Sequence, residues 1–292
     1  MLKPAGRWTA LLLMAAAVPV GAIVAGAPPD SPAARVDANR PDSPFAGVGS
    51  IRVLAADGRA TAGVYSGCLV APRWVLTAGH VAAGQPAGRL RFNLNLTGDL
   101  SHPLAVRRVV LHPNFRALAG QRYADDLALL ELAEPAPAGA PTYVLATTPL
   151  HPGAVLTLVG YGATGSGAGG ETVPGAAQVR RVALNSADVL EVVPPMRVPQ
   201  VYLFDFDGPL DRGFMGGPTL GNTLEGTLAG GDSGSPALLR DTDGRWRVAG
   251  VNTFVFGRAG GPPTPRFGSG GGGMLIAPYA GWIAGTIGAP PR

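Results

Sequence analysis

Gly231-Asp232-Ser233-Gly234-Ser235 sets a serine in a glycine-flanked turn immediately before the apolar run Pro236 to Leu239. Such a turn exposes a hydroxyl, but a serine hydroxyl is a weak nucleophile unless a base takes its proton and a third group orients the base. Glycine at 231 can adopt backbone angles closed to other residues, so its N–H can join that of Ser233 in facing one point. Two amides so aimed stabilise an oxyanion. The base is found by elimination among four histidines: His102, His112 and His151 each precede a proline, whereas His80 ends the run Trp74-Val75-Leu76-Thr77-Ala78-Gly79-His80. The orienting carboxylate is sought in Asp125-Asp126-Leu127-Ala128-Leu129-Leu130-Glu131-Leu132, where Asp126 leads into a buried-strand pattern that would hold it rigidly. Nucleophile Ser233, base His80, orienting Asp126 and the amides of Gly231 and Ser233 together describe acyl transfer through a covalent intermediate. The alternative nucleophile-elbow pattern GxSxG fails at Ser235.

The elements that must carry these residues are short strands. The chain has 292 residues, 46% hydrophobic and 14% charged, which suffices for a large buried core. Its 44 glycines and 29 prolines fall between apolar runs, as turns between strands do. One series of β-type runs covers Val48 to Leu54, Trp74 to Thr77, Val106 to Leu111 and Leu127 to Leu132. The proline-rich stretch Glu134 to Pro141 reads as a linker. A second series covers Val155 to Val159, Val179 to Leu184, Pro236 to Leu239 and Trp246 to Val251. Only Ala277 to Ile287 has helical spacing, with Tyr279, Trp282, Ile283 and Ile287 on one face. Two strand series and a terminal helix predict an all-β protein of two small barrels or sandwiches.

Composition removes other chemistries. Lys3 is the only lysine, which excludes a Walker phosphate loop, a Schiff-base lysine and a serine-lysine dyad. The glycine run Gly268 to Gly273 then reads as a flexible loop. The single cysteine, Cys68, cannot form an internal disulfide and reads as a small buried hydrophobe. Four histidines without an HExxH pattern give no zinc site, so neither a metal nor an organic cofactor is expected. Asp205, Asp207 and Asp211 form an acidic cluster that could take calcium, although a solvated acidic loop is the plainer reading.

Lys3 and Arg7 precede an uncharged stretch from Trp8 to Val24, and Ala25-Gly26-Ala27 supplies a small-x-small cleavage pattern. Residues 1–27 therefore read as a secretory signal and the product as secreted or periplasmic. The stretch is shorter than the ~20 residues a bilayer span needs and contains Pro19, so no membrane association is expected after cleavage. Residues 28–44 read as a leader or extended arm, and packed structure is expected from Phe45. The scattered arginines form no basic run, which gives no nucleic-acid partner.

Thr77-Ala78-Gly79-His80, Asp126-Leu127-Ala128-Leu129-Leu130 and Gly231-Asp232-Ser233-Gly234 resemble, in order, the three motifs of the chymotrypsin/trypsin-like serine endopeptidases. His112-Pro113-Asn114-Phe115, Gly160-Tyr161-Gly162 and the segment Tyr279 to Ile283 extend the resemblance over about 45–287. It implies a secreted, bacterial-type member without disulfides, built as two packed antiparallel six-stranded β-barrels with a C-terminal helix at about 277–287. The first barrel would span about 45–134, a linker 135–150 and the second barrel about 151–276. It also implies a monomer acting on polypeptide substrates. The position six before the nucleophile, Thr227, would floor the primary specificity pocket, with Thr253, Phe254 and Val255 in its wall. An uncharged floor gives a preference for small or medium uncharged residues before the scissile bond. The family counterpart of Asp232 pairs with an amino terminus released by proteolysis, for which Arg35-Val36 is the candidate cut, with Val36 the new terminus and residues up to 35 a propeptide. Other readings are a catalytically silent binding protein on the same scaffold, or a narrow-specificity processing protease or esterase.

Overall fold

The computed structural model describes residues 22–117, 123–210, 213–257 and 263–288. Two short strands of the amino-terminal arm, β1 (Val24–Ala25) and β2 (Val36–Asp37), add to sheets formed by the second half of the chain. The expected signal falls partly outside the described residues, at 1–21. Ala22 to Ala25 are fully buried, so a cut after Ala27 would remove a strand from its sheet.

Six antiparallel strands close the first barrel: β3 (Val48–Leu54), β4 (Thr61–Ala71), β5 (Trp74–Thr77), β6 (Leu90–Leu94), β7 (His102–Leu111) and β10 (Ala128–Leu132), in the order β10-β5-β4-β3-β6-β7. Ile51, Leu69, Leu76, Phe92 and Leu129 fill it. Closure leaves these strands no free edge and buries β5 and β10 at every residue. The buried Glu131 on β10 is neutralised by Arg107 and by Arg108, whose Nε donates at 2.8 Å. A two-stranded ribbon, β8 (Arg116–Ala117) with β9 (Tyr123–Ala124), lies between β7 and β10 in sequence.

The linker region contains β11 (Val144–Leu145), which runs parallel to a strand of the second half. That half holds β12 (Ala154–Gly160), the hairpin β13 (Thr164–Ser166) and β14 (Gly170–Val173), then β15 (Arg180–Ala187), β16 (Val189–Glu191), β17 (Val201–Asp205), β18 (Pro236–Arg240), β19 (Trp246–Phe256) and β20 (Gly270–Leu275). The main sheet runs β16-β17-β20-β19-β18-β12-β15-β2. It curls until Asn185 on β15 donates to the Asp205 carbonyl on β17 at 2.9 Å, a side-chain closure instead of a backbone ladder.

β20 corrects the reading of Gly268 to Gly273 as a flexible loop. Gly270 to Gly273 are strand residues, all buried, and aromatic rings or the backbone of neighbouring strands occupy the space their side chains would need. A Cβ on Gly271 would meet Phe204 Cζ at 2.6 Å, and one on Gly272 would meet Phe254 Cζ at 3.0 Å. The strand is glycine-rich because its neighbours are bulky.

The chain ends in a 3-10 turn, Ala277–Tyr279, and α2 (Ala280–Ile287), packed on the first barrel through Tyr279, Ile283 and Trp282. Gly288 stops the helix at φ +71°. Among the described residues no helix is long and apolar enough to cross a membrane.

Candidate active site

Sheet register brings His80 and Asp126 together. Thr77, the last residue of β5, pairs with Ala128, the first of β10, so the segments beyond both strand ends leave the barrel side by side. After Thr77 the chain enters the single turn α1 (Gly79–Ala82), which presents His80. Asp126 Oδ1 accepts the His80 backbone N–H and Oδ2 lies against His80 Nδ1, both at 2.8 Å. The Asp126 side chain is 2% exposed and that of His80 17%. A buried carboxylate holding both the backbone and the ring of His80 fixes its position and favours a proton on Nδ1, which leaves Nε2 as the basic nitrogen. Asp125 enters this turn at φ +49°, and its Oδ1 accepts the Tyr279 hydroxyl at 2.8 Å, so the terminal helix braces the turn.

Ser233 approaches from the second half. Its carbonyl accepts the N–H of Ser66 on β4 at 3.0 Å, while the Ser66 hydroxyl donates to the Gly231 carbonyl at 3.1 Å and accepts the Tyr161 N–H at 3.0 Å. Gly234 sits so close to Thr77 Oγ1 and the Ala78 nitrogen that a Cβ would collide with both, which packs the serine turn against the segment leading to His80. Gly231 has φ +95°, as its expected role requires. Among the described residues, the N–H groups of Gly231 and Ser233 donate to no protein group. They remain available to a developing oxyanion. Ser235 accepts the Asn252 side-chain amide at 2.7 Å, and Asn252 in turn accepts the Tyr202 hydroxyl, so the second serine stabilises the turn.

Asp232 is fully buried between these two amides. Its Oδ1 accepts the Gly162 N–H at 2.9 Å; its Oδ2 accepts those of Ala229 at 3.0 Å and Ile23 at 3.2 Å. Burial pushes its carboxyl up to about 7, while these amides pull it back. Gly160-Tyr161-Gly162 has glycine at both ends because Asp232 occupies the space on that side: a Cβ on Gly162 would lie 2.8 Å from Asp232 Cγ. The structure brings Ile23 to Asp232, and it puts Val36 elsewhere, in β2 opposite Arg181.

Thr227 is fully buried, exchanges backbone hydrogen bonds with Val24, and has no partner for its hydroxyl among the described residues. Thr253 is buried and Phe254 and Val255 half-buried on β19, opposite the glycines of β20. Of the acidic cluster, Asp205 accepts the Met215 N–H at 2.9 Å and Asp207 that of Gly213 at 2.6 Å; Asp211 lies outside the described residues. Among the described residues no group of three or more His, Cys, Asp or Glu side chains could hold a metal ion.

Two contributors escaped the sequence reading. Ser66 was legible only as a polar residue in a strand of small and apolar ones. Glu171 on β14 accepts the Gly230 N–H at 2.6 Å beside the oxyanion turn, and nothing in its local sequence marks it.

Residues 52–187 match the Trypsin family. An 83-residue stretch is 36% identical to the complement C1r subcomponent-like protein of Mus musculus, and 34% identical to its Homo sapiens counterpart; each match covers 25% of this chain and 17% of the relative. The chain thus aligns with less than a fifth of the length of these curated relatives. The fold is similar to that of neuropsin, a serine protease expressed in the limbic system of mouse brain, with a TM-score of 0.57 and 19% identity over 85% of this chain and 98% of that one. Residues 52–187 thus carry a Trypsin-family match over the first barrel and the start of the second, and the chain has a chymotrypsin-like fold that holds the His80–Asp126 pair beside the Ser233 turn.

Proposed function

We propose that the protein is a secreted serine endopeptidase that hydrolyses peptide bonds through an acyl-enzyme. The observation that carries this reading is the buried Asp126 carboxylate holding both the backbone N–H and the ring Nδ1 of His80 at 2.8 Å, at the end of the barrel against which the Ser233 turn packs. Ser233 Oγ attacks the scissile carbonyl as His80 Nε2 takes its proton. The new C–O bond forms as the carbonyl π electrons move to oxygen, and the amides of Gly231 and Ser233 receive the resulting oxyanion. His80 then gives the proton to the leaving amine, the C–N bond breaks, and water repeats the sequence to release the acid. Asp126 orients and stabilises the imidazolium without taking its proton.

The specificity reading rests on Thr227. A guanidinium brought to a threonine floor would lose its water without gaining a carboxylate, so small or medium uncharged residues are favoured before the cut, with Thr253, Phe254 and Val255 narrowing the entrance. Polypeptides are the substrates, and the protein works as a monomer.

The test is labelling with a fluorophosphonate, read as intact mass, beside a Ser233→Ala control. A single adduct on the wild type and none on the control is expected. Failure of folded protein of defined amino terminus to label would refute the catalytic reading. Efficient cleavage after arginine in a peptide library would overturn the specificity.

A further inference from the structure

From Ala229 to Ser233 the backbone of the serine turn is almost fully engaged. Its carbonyls accept, in chain order, the Asp232 N–H at 3.0 Å, the Ala163 N–H at 2.6 Å, the Ser66 hydroxyl at 3.1 Å, the Ser235 N–H at 2.9 Å and the Ser66 N–H at 3.0 Å. The N–H groups of Ala229, Gly230 and Asp232 are likewise taken, by the Asp232 carboxyl, by Glu171 Oε1 at 2.6 Å and by the Ala229 carbonyl. Among the described residues only the N–H groups of Gly231 and Ser233 are left for a ligand. All but one of these partners are backbone groups or buried side chains. The exception is Glu171, an exposed residue of β14.

Gly230 and Gly231 are consecutive glycines, so the peptide between them has little intrinsic preference for one orientation. A trans peptide carries its carbonyl and its N–H on opposite sides. With the Gly230 carbonyl turned to Ala163, the Gly231 N–H is turned the other way. A peptide rotated by half a turn would put a carbonyl where the oxyanion has to sit. Both outside contacts of Gly230 come from one hairpin: Ala163 directly precedes β13, and Glu171 lies on β14 opposite Gly165. The hairpin is itself fastened at its tip, where Gly167 donates to the Ala25 carbonyl at 2.7 Å and accepts the Phe267 N–H at 2.8 Å. Negative charge at Glu171 works against the site: it is among the influences that raise the Asp232 carboxyl, and it would oppose an oxyanion. The useful property is an acceptor oxygen.

We propose that Glu171 is a positioning residue: its carboxyl oxygen and the Ala163 N–H clamp Gly230 from its two ends and aim the Gly231 N–H at the oxyanion point before substrate arrives. The inference rests on the catalytic reading above, in which that N–H receives the oxyanion.

The experiment compares full-length wild type, Glu171→Gln and Glu171→Ala. Gln keeps an acceptor oxygen on a side chain of the same length and removes the charge; Ala removes both. On a chromogenic peptide amide, Glu171→Gln is expected to keep kcat within about threefold of wild type and Glu171→Ala to lose about tenfold, the scale of one hydrogen bond. KM stays within about threefold in both, because the Gly231 amide acts on charge that develops at the transition state. A peptide aldehyde, whose adduct places an oxygen at the same point, should bind about tenfold more weakly to Glu171→Ala alone. Melting temperatures should differ no more than for an ordinary surface substitution, since Glu171 and Gly230 are both exposed. Equal kcat for the Gln and Ala variants would overturn the inference, as would a loss carried by KM or one matched by a fall in melting temperature. Hydrogen exchange in the Ser233→Ala background tests the clamp without turnover. There the segment holding Gly230 is expected to gain a rapidly exchanging amide on Glu171→Ala and none on Glu171→Gln; exchange unaltered by either substitution would overturn the clamp even in an active enzyme. A wild type that fails to label with the fluorophosphonate, while the exchange difference is seen, would instead refute the catalytic reading and leave the clamp standing.

Discussion

Replacing Gly231 by alanine perturbs the oxyanion turn while leaving every triad side chain in place. Gly231 sits at φ +95°, and an added Cβ would lie 2.8 Å from the Val64 carbonyl oxygen and 2.9 Å from Gly162 Cα. Both obstacles are backbone, one in the central barrel strand β4 and the other pinned by Asp232, so neither can swing aside as a side chain would. Relief requires the peptide before residue 231 to rotate, which carries its N–H off the oxyanion point. Backbone strain of this kind costs about 1–3 kcal/mol, and losing one oxyanion donor costs ~100- to 1000-fold in turnover. Because the charge it stabilises develops only at the transition state, the loss falls on kcat and leaves KM within a few-fold. Steady-state kinetics on a chromogenic peptide amide, with urea unfolding of both proteins, separates the two effects. A folded variant that keeps kcat within about threefold of wild type would refute the assignment of the Gly231 amide.

Asp188 and Asp205 face each other in the second sheet, and burial raises both carboxyls, Asp188 to about 7. The stability their protonated forms contribute is fully present below the ordinary carboxyl range near 4 and is lost as pH rises through about 7. Asp188→Asn should therefore melt higher than wild type at pH 8 and match it near pH 4; parallel melting curves across that range would rule out the pair. The buried Arg180 guanidinium donates to Asp37 at 2.7 Å and to the Val48 carbonyl at 3.3 Å, joining the arm to both halves of the fold. Arg180→Leu should cost about 3 kcal/mol in urea unfolding, at the lower end for a broken buried pair because Asp37 retains some contact with water; a cost below ~1 kcal/mol would refute that role. Burial drives the Cys68 thiol far above its ordinary range. Iodoacetamide at pH 8 should leave it untouched until denaturant unfolds the chain, and rapid alkylation of native protein would contradict its burial in the barrel.

The features legible in the sequence are those encoded within a few consecutive residues. Trp74 to Thr77 and Leu127 to Leu132 read as buried strands, and the structure buries both completely. The segments leaving them carried the base and carboxylate because antiparallel pairing brings their ends together. Long-range packing was not legible. The glycines of β20 looked like a loop because their neighbours, Phe204, Phe254 and Phe256, lie far away in sequence. Glu171 and Ser66 matter through single hydrogen bonds to the serine turn, a relation no local pattern encodes.

Ser66 bridges the halves by taking up the carbonyl side of the catalytic turn: its N–H meets the Ser233 carbonyl and its hydroxyl the Gly231 carbonyl. Those carbonyls are thereby occupied from the first barrel, while the Gly231 and Ser233 amides donate to no protein group among the described residues. Neither half of the chain carries this arrangement alone, since one supplies His80, Asp126 and the Ser66 hydroxyl and the other the Ser233 turn with its amides. On the proposed catalytic reading, a nascent or partly unfolded molecule is inactive, and proteolytic competence is expected to arrive as an all-or-none property of barrel docking.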